Sequence, residues 1–344
     1  MSASKKTGKK NAIVGIGAAL LIAVVFALWV LFLPNVKTDS DESYLYIRDN
    51  AGMQQVMDSL TANHFLSSSL SFTMSAKLFN YKTVRPGRYA LHNGMNNFQL
   101  VRMLRSGRQK PLKLTFNNIR TKTQLAARLS GIVMADSLSI INTLNDSAFL
   151  APYGFSTQTA IANFIPDTYE VFWDLDAKEL FEKMNEEYRR FWTDERKAKA
   201  AAIPMTPTEV ATMASIVEEE TNKKDERPQV AGLYINRLKK NMPLQADPTL
   251  KFAVGDFSIR RLKLEHILFI SPYNTYRNKG LPPGPIRVAT KNGMDAVLDY
   301  TKHDYIFMCA RETFDGYHNF AVNYAEHQAN ARKYQKALDA RNIK

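Results

Sequence analysis

Residues 12–33 read AIVGIGAALLIAVVFALWVLFL, 22 consecutive positions without a charge. At ~1.5 Å rise per residue, a helix of this length matches a hydrocarbon layer ~30 Å thick. The run therefore predicts a transmembrane helix, which divides the chain into two parts that meet different solvents. Lys5, Lys6, Lys9 and Lys10 lie ahead of it. The positive-inside bias then keeps residues 1–11 in the cytoplasm and sends everything after Leu33 to the outer, periplasmic side of the cytoplasmic membrane as a single-pass protein. A cleavable signal peptide is the competing reading, but its apolar region is usually ~7–15 residues long with a small-x-small cleavage site. Here the run is longer and Pro34, Asn35 and Val36 follow it.

The net charge of +13 invites a nucleic-acid partner until it is located. Setting the four leading lysines aside from the 46 basic residues leaves 42 against 33 acidic ones, a balance of +9 beyond the membrane. A tethered, exported domain has no routine access to DNA. The membrane surface and the cell wall are the anionic partners within reach, and a merely solvated basic surface is the plain alternative. A lone cysteine, Cys309, excludes an intramolecular disulfide, and no CxxC pair exists to hold zinc. At 344 residues the chain has room for two domains.

After a polar stretch at 34–43 that reads as a linker, Tyr44 opens a short strand, and Met53, Val56, Met57 and Leu60 recur at helical spacing. RPGRY (85–89) marks a turn. Phe98, Val101 and Leu104 mark a second short helix that Ser106–Gly107 closes, and Leu112, Leu114 and Phe116 alternate as in a half-buried strand. These pieces predict a small α+β unit over 44–117. It carries no cluster of titratable groups and reads as a binding or spacer module. Beyond it, a weak helical signal runs to about 153, NFIPDTYEVFW (163–173) reads as a packed loop and strand, and Phe181, Met184, Tyr188 and Phe191 mark an amphipathic helix.

The most informative segment is TPTEVATMASIVEEET (206–221). Thr206, Pro207 and Glu209 supply an N-cap, a proline in the first turn and a capping-box acid. Val210, Met213, Ile216 and Val217 form an apolar stripe whose continuation falls on Glu220, while Glu218 and Glu219 point away from it. A carboxyl held against apolar side chains keeps its proton to higher pH, the property of a general acid. The alternative is a solvated Glu220 at the helix end, paired with Lys223, Lys224 or Arg227.

PQVAGLYINRLKK (228–240) reads as a helix with Val230, Leu233, Tyr234 and Leu238 inward. In MPLQADPTL (242–250) the two prolines forbid a long helix, so Gln245 and Asp247 are presented from a loop. SPYNTYRNKGLPPGPI (271–286) is dense in Pro, Gly, Tyr and Asn; it offers either amide, hydroxyl and aromatic surface for a sugar or simple turn punctuation. His266, His303, His318 and His327 show no HExxH spacing, no GxSxG occurs, and Cys309 lies in the apolar run IFMCA. Metal and serine or cysteine chemistry are accordingly not expected, and no cofactor is.

Together ASIVEEET, INRL, MPLQADPTL and SPYNTYRNKGLPPGPI resemble the signature run of the endolytic murein transglycosylases, the YceG-like family. FIPDTY (164–169) is similar to the family's FPDTY, and the C-terminal segment with His318, Phe320 and His327 also fits. Glu219 stands where the pattern commonly has Lys, and Gln328 where it often has Asn. The resemblance implies an α+β organisation: a transmembrane helix at 12–33, a LysM-like module at 44–117 and a larger mixed α+β catalytic domain at 118–344. It implies a lytic transglycosylase that cleaves peptidoglycan strands between N-acetylmuramoyl and N-acetylglucosamine residues, leaves 1,6-anhydro ends and consumes no water. The family's glutamate in SIxEKET falls on Glu220, the residue that the helical stripe selects. Gln245, Asp247, Tyr273, Asn274 and Tyr276 are the expected substrate contacts, nascent glycan strands the expected substrate, and wall-synthesis proteins the implied partners. A non-catalytic scaffold that grips glycan for those proteins is the rival reading.

Overall fold

The computed structural model describes residues 3–341. Part of the segment expected in the cytoplasm (1–11) and the last residues of the expected catalytic domain (118–344) lie outside them. The chain forms two units, one running to Lys113 with Glu170–Leu175 added, the other holding Leu114–Tyr169 and everything from Asp176 onward.

In the first unit the helix Ala3–Phe32 contains the apolar run except its last residue, Leu33. Its Ile13–Phe32 stretch is long and apolar enough to cross a membrane, and its side chains from Ile13 to Trp29 stand largely exposed. Strands Glu42–Ile47 and Gly87–His92 pair antiparallel, with Leu45 opposite Tyr89 and Ile47 opposite Gly87. Alternation buries Leu45, Ile47, Tyr89 and Leu91 on the face covered by Val56, Leu60, Phe72, Leu100 and Leu104. The expected helices are Met53–Ala62 and Asn97–Ser106, the second ending on Gly107 in the left-handed region at φ 69°. A third helix, Ser69–Leu78, escaped the periodicity because apolar residues lie on both its inward and its outward faces.

Two boundaries shift. Asn35 and Val36, read as linker, are buried. Their backbone N–H groups both donate to the Met95 carbonyl, and the Asn35 amide donates to the Ser68 carbonyl and to Asn97 Oδ1. Glu42 and Ser43 already belong to the strand, so only Lys37–Asp41 connects. At the other end, Leu112–Thr115 does not join the first sheet but pairs with Thr168–Val171, and Leu114 and Phe116 are buried in the second unit, Phe116 beside Phe164 and Tyr169.

The second unit is built around helix Pro207–Glu220, whose start is capped as expected: Glu209 N–H donates to Thr206 Oγ1 and Thr206 N–H to the Glu209 carboxylate at 2.7 Å. Every residue from Val210 to Glu218 is buried, because neighbouring helices, Arg227–Lys239, Asp247–Val254 and Lys291–Leu298 among them, enclose it. A helix buried all round has no polar face, so reading Glu218 as pointing away from the packing was wrong. Strands Phe307–Ala310 and His318–Ala321 form an antiparallel pair with Cys309 opposite Asn319, and helix Tyr324–Ala340 follows.

Candidate active site

The three acids at the end of the central helix have three different surroundings. Glu218 is 2% exposed and ionically paired with Arg227 at 3.0 Å. It also accepts from the Thr290 N–H at 3.1 Å and from the Thr290 hydroxyl. Gly293 makes room for it: a Cβ there would stand 2.6 Å from the Glu218 carboxyl carbon. Glu219 is gripped by Arg120 at 2.8 Å and Arg287 at 2.9 Å.

Glu220, the last helical residue, has no cation within ion-pair distance among the described residues. Its Oε1 accepts a 2.6 Å hydrogen bond from the hydroxyl of Tyr234, which is buried on helix Arg227–Lys239. Burial pushes the Glu220 carboxyl up from 4.5 to about 7; the Tyr234 hydrogen bond works against this shift, and the negative charge of Asp247 works with it. The helix C-terminus also presents the negative end of its macrodipole here. Arg227, one of the cations expected to neutralise Glu220, is engaged by Glu218 instead.

Glu220 opens into a cavity of about 380 Å³ that Tyr234, Arg237, Gln245, Asp247, Tyr276 and His318 also line. The sequence LQAD explains how two polar residues come to face it together: Leu244 and Ala246 are fully buried, so the alternating Gln245 and Asp247 are exposed. Gln245 has φ 52°, and its N–H donates to the Thr275 carbonyl at 3.0 Å. Asp247 begins the helix Asp247–Val254 rather than sitting in a loop, and its Oδ1 accepts from the Tyr276 hydroxyl at 2.5 Å. Burial, followed by the bond to Asp247, pushes the Tyr276 phenol well up.

Tyr273 and Asn274 lie outside the cavity lining. Asn274 is fully buried, its amide donating to the carbonyls of Ile267 and Phe269 and its Oδ1 accepting from the Tyr276 N–H. Tyr273 packs on Phe252, ring centroids 4.8 Å apart. Their neighbour Thr275 joins the two loops, its hydroxyl accepting from the Ala246 N–H and bonding Thr249. Asn274 and Thr275 hold Tyr276 and Gln245 in position.

Sequence reasoning gives Tyr234 and Arg237 no place in the site, and the C-terminal wall, the segment with His318 and His327, no role in it. Tyr234 was read as one more inward apolar residue; the available signal was that a buried tyrosine hydroxyl needs a partner. Arg237, within INRL, donates to the carbonyls of Leu244 and Ile306 at 2.7 Å each and to Gln245 Oε1 at 3.3 Å, tying helix, loop and C-terminal strand together. His318 is held by Glu226: its N–H donates at 2.7 Å and its Nδ1 lies 3.0 Å from the carboxylate. Glu226 is buried, which works to raise its pKa, yet these bonds hold it below the ordinary carboxylate value. Phe307, Cys309 and His327 complete that wall, His327 stacked on Phe307. Among the described residues no three His, Cys, Asp or Glu side chains converge as metal ligands.

The sequence model of the YceG-like family matches residues 45–333. The chain belongs to the YceG-like family. Among similar proteins is the endolytic murein transglycosylase of Bacillus subtilis (strain 168), 28% identical over 337 residues that cover 92% of this YceG-like chain and 91% of the relative. The endolytic murein transglycosylase of Streptococcus pneumoniae R6 is 26% identical over 326 residues, 84% of this chain but 57% of that longer protein. A yceG-like protein of Listeria monocytogenes, solved at 2.6 Å, superposes with a TM-score of 0.56 at 25% identity, covering 85% of this chain and 99% of that one. The likeness read from the motifs is borne out at the level of the family.

Proposed function

We propose that this YceG-like chain is a peptidoglycan lytic transglycosylase in which Glu220 serves first as general acid and then as general base. The observation that carries the reading is a buried carboxyl with no ion-paired cation among the described residues, raised to about 7 and facing a cavity. With Oε1 held by Tyr234, Oε2 carries the proton. Glu220 gives it to the glycosidic oxygen as the bond to C1 breaks through an oxocarbenium-like state. The resulting carboxylate takes the proton of the muramoyl 6-hydroxyl, whose oxygen closes on C1. Glu220 is regenerated protonated, and the product is a 1,6-anhydro end without water. Asp247, Gln245 and Tyr276 act as binding and orienting groups for sugar or peptide; Asp247, bonded by Tyr276, also helps keep Glu220 neutral.

The helix Ala3–Phe32 serves as the anchor in the cytoplasmic membrane, with the rest of the first unit and the second unit outside, so that nascent strands near the membrane are the substrate. The first unit serves as the LysM-like glycan grip. The names and near-full coverage of the bacillary relative support the activity, and the exposed apolar helix supports the anchor. The test is digestion of purified peptidoglycan by wild type and Glu220→Gln, read by mass spectrometry. Anhydro-ended fragments from wild type alone are expected. Reducing ends from wild type, or full activity in the variant, defeat the reading.

A further inference from the structure

Helix Ser69–Leu78 presents Leu70, Met74 and Leu78 at 66%, 40% and 62% exposure, while its opposite face buries Phe72, Ser75 and Ala76. Spacing of four places the three exposed residues along one stripe. That stripe has a defined neighbour. Asn97 donates through Nδ2 to both the Ser71 hydroxyl, at 3.0 Å, and the Val30 carbonyl, at 2.8 Å, so the start of this helix is tied to the last turn of the apolar helix. At its other end Phe79 packs on Phe98, which packs on Phe32, with centroids 5.6 and 5.5 Å apart. Helix Ser69–Leu78 is thus fastened at both ends to the point where the apolar helix ends. Leu78 lies seven residues, ~two turns, beyond Ser71 and so on the same line of the helix. The stripe borders the side turned to the apolar helix, whose final Phe32 and the following Leu33 are about half exposed. Neither Ser69–Leu78 nor its neighbour Asn97–Ser106 holds an acid, whereas Lys77, Arg102 and Arg105 do supply cations.

We propose that helix Ser69–Leu78 lies in the interface of the bilayer entered by the apolar helix, with Leu70, Met74 and Leu78 inserted at the acyl boundary and the flanking cations against anionic headgroups. This rests on the anchor reading above and goes beyond it. An interfacial helix seats its apolar face ~5–10 Å into the boundary between headgroups and chains. Such seating gives the first unit a set orientation on the membrane instead of leaving it to swing on a tether. It also accounts for an apolar stripe that the core does not use.

The test uses the full chain with Cys309→Ser and one new cysteine, carrying a nitrobenzoxadiazole fluorophore, at Met74, at Ile22 or at Asp58. The protein is reconstituted in phosphatidylcholine and phosphatidylglycerol vesicles with lipids bearing a nitroxide near the headgroup or deep in the chain. Position 74 is expected to be quenched by the shallow nitroxide at least roughly twofold more than position 58, and position 22 by the deep one. Quenching at 22 with none at 74 overturns the interfacial helix and leaves the anchor standing. No quenching at 22 overturns both. A label at 74 shielded from lipid nitroxide and from aqueous iodide alike marks a surface covered by a second copy, and also overturns the proposal.

Discussion

Around Glu218 the protein has gathered a guanidinium, a backbone N–H and a hydroxyl; around Glu220, two residues further along the same helix, it has placed one phenol and an open cavity. Both carboxyls leave bulk water. The first is ion-paired with Arg227, whereas the second, with no ion-paired cation among the described residues, is raised to about 7 by burial. A buried carboxyl that faces a cavity without an ion-paired cation is the setting that suits a general acid.

The largest effect that would sharpen this contrast is on catalysis. Glu220→Gln is expected to lower release of anhydro-ended product by ~10²–10⁴, the usual worth of a general acid and base, in a protein that still folds. Equal loss from a Glu220 variant that has also unfolded, seen by circular dichroism, would break the contrast. Next is stability. Glu218→Ala leaves Arg227 buried and unpaired, which costs about 3–5 kcal/mol. A thermal melt within a degree or two of wild type would show Glu218 to be no more structural than a surface acid.

A pH series probes the same pair from the other side. Folded Glu220 keeps its proton to about pH 7, whereas the unfolded chain releases it near 4.5. The folded state thus carries the cost of an ionised Glu220 above pH 7, and that cost fades as the pH falls toward 4.5. Glu220→Gln escapes it. The variant should be the more stable protein at pH 8 by up to about 3 kcal/mol, with the gap closing by pH 4.5, as thermal unfolding at both pH values would reveal. Identical melts throughout would mean that Glu220 is not neutral in the fold.

The smallest effect concerns Tyr234. Its hydrogen bond lowers the Glu220 pKa against the larger effect of burial. Tyr234→Phe should move the alkaline limb of the pH–rate profile upward by about one unit, a change of the size of one hydrogen bond. A downward move would assign Tyr234 some other role.

Much of this molecule is written along the chain. The apolar run, the capped start of the central helix, Glu220 at its end and the paired Gln245 and Asp247 are all local, set by neighbours within a turn or a strand. The family likeness is local too, since it is carried by short ordered motifs. Periodicity failed where two surfaces are apolar at once. Glu218 was misread because the central helix is enclosed on all sides, and helix Ser69–Leu78 was missed because its outward face is apolar as well. Tyr273 and Asn274 share a loop with Tyr276, and nothing in their order says which side chain reaches the cavity; the carbonyls of Ile267 and Phe269 decide that for Asn274. The sequence by itself determined which acid ends the helix. Only the tertiary structure decided that Arg227 goes to Glu218, that Tyr234 and His318 meet at Glu220's cavity, and hence that Glu220 holds its proton to about pH 7. The physical reason is that charge compensation depends on side chains brought together from distant helices and strands, and spacing along one helix carries no record of them.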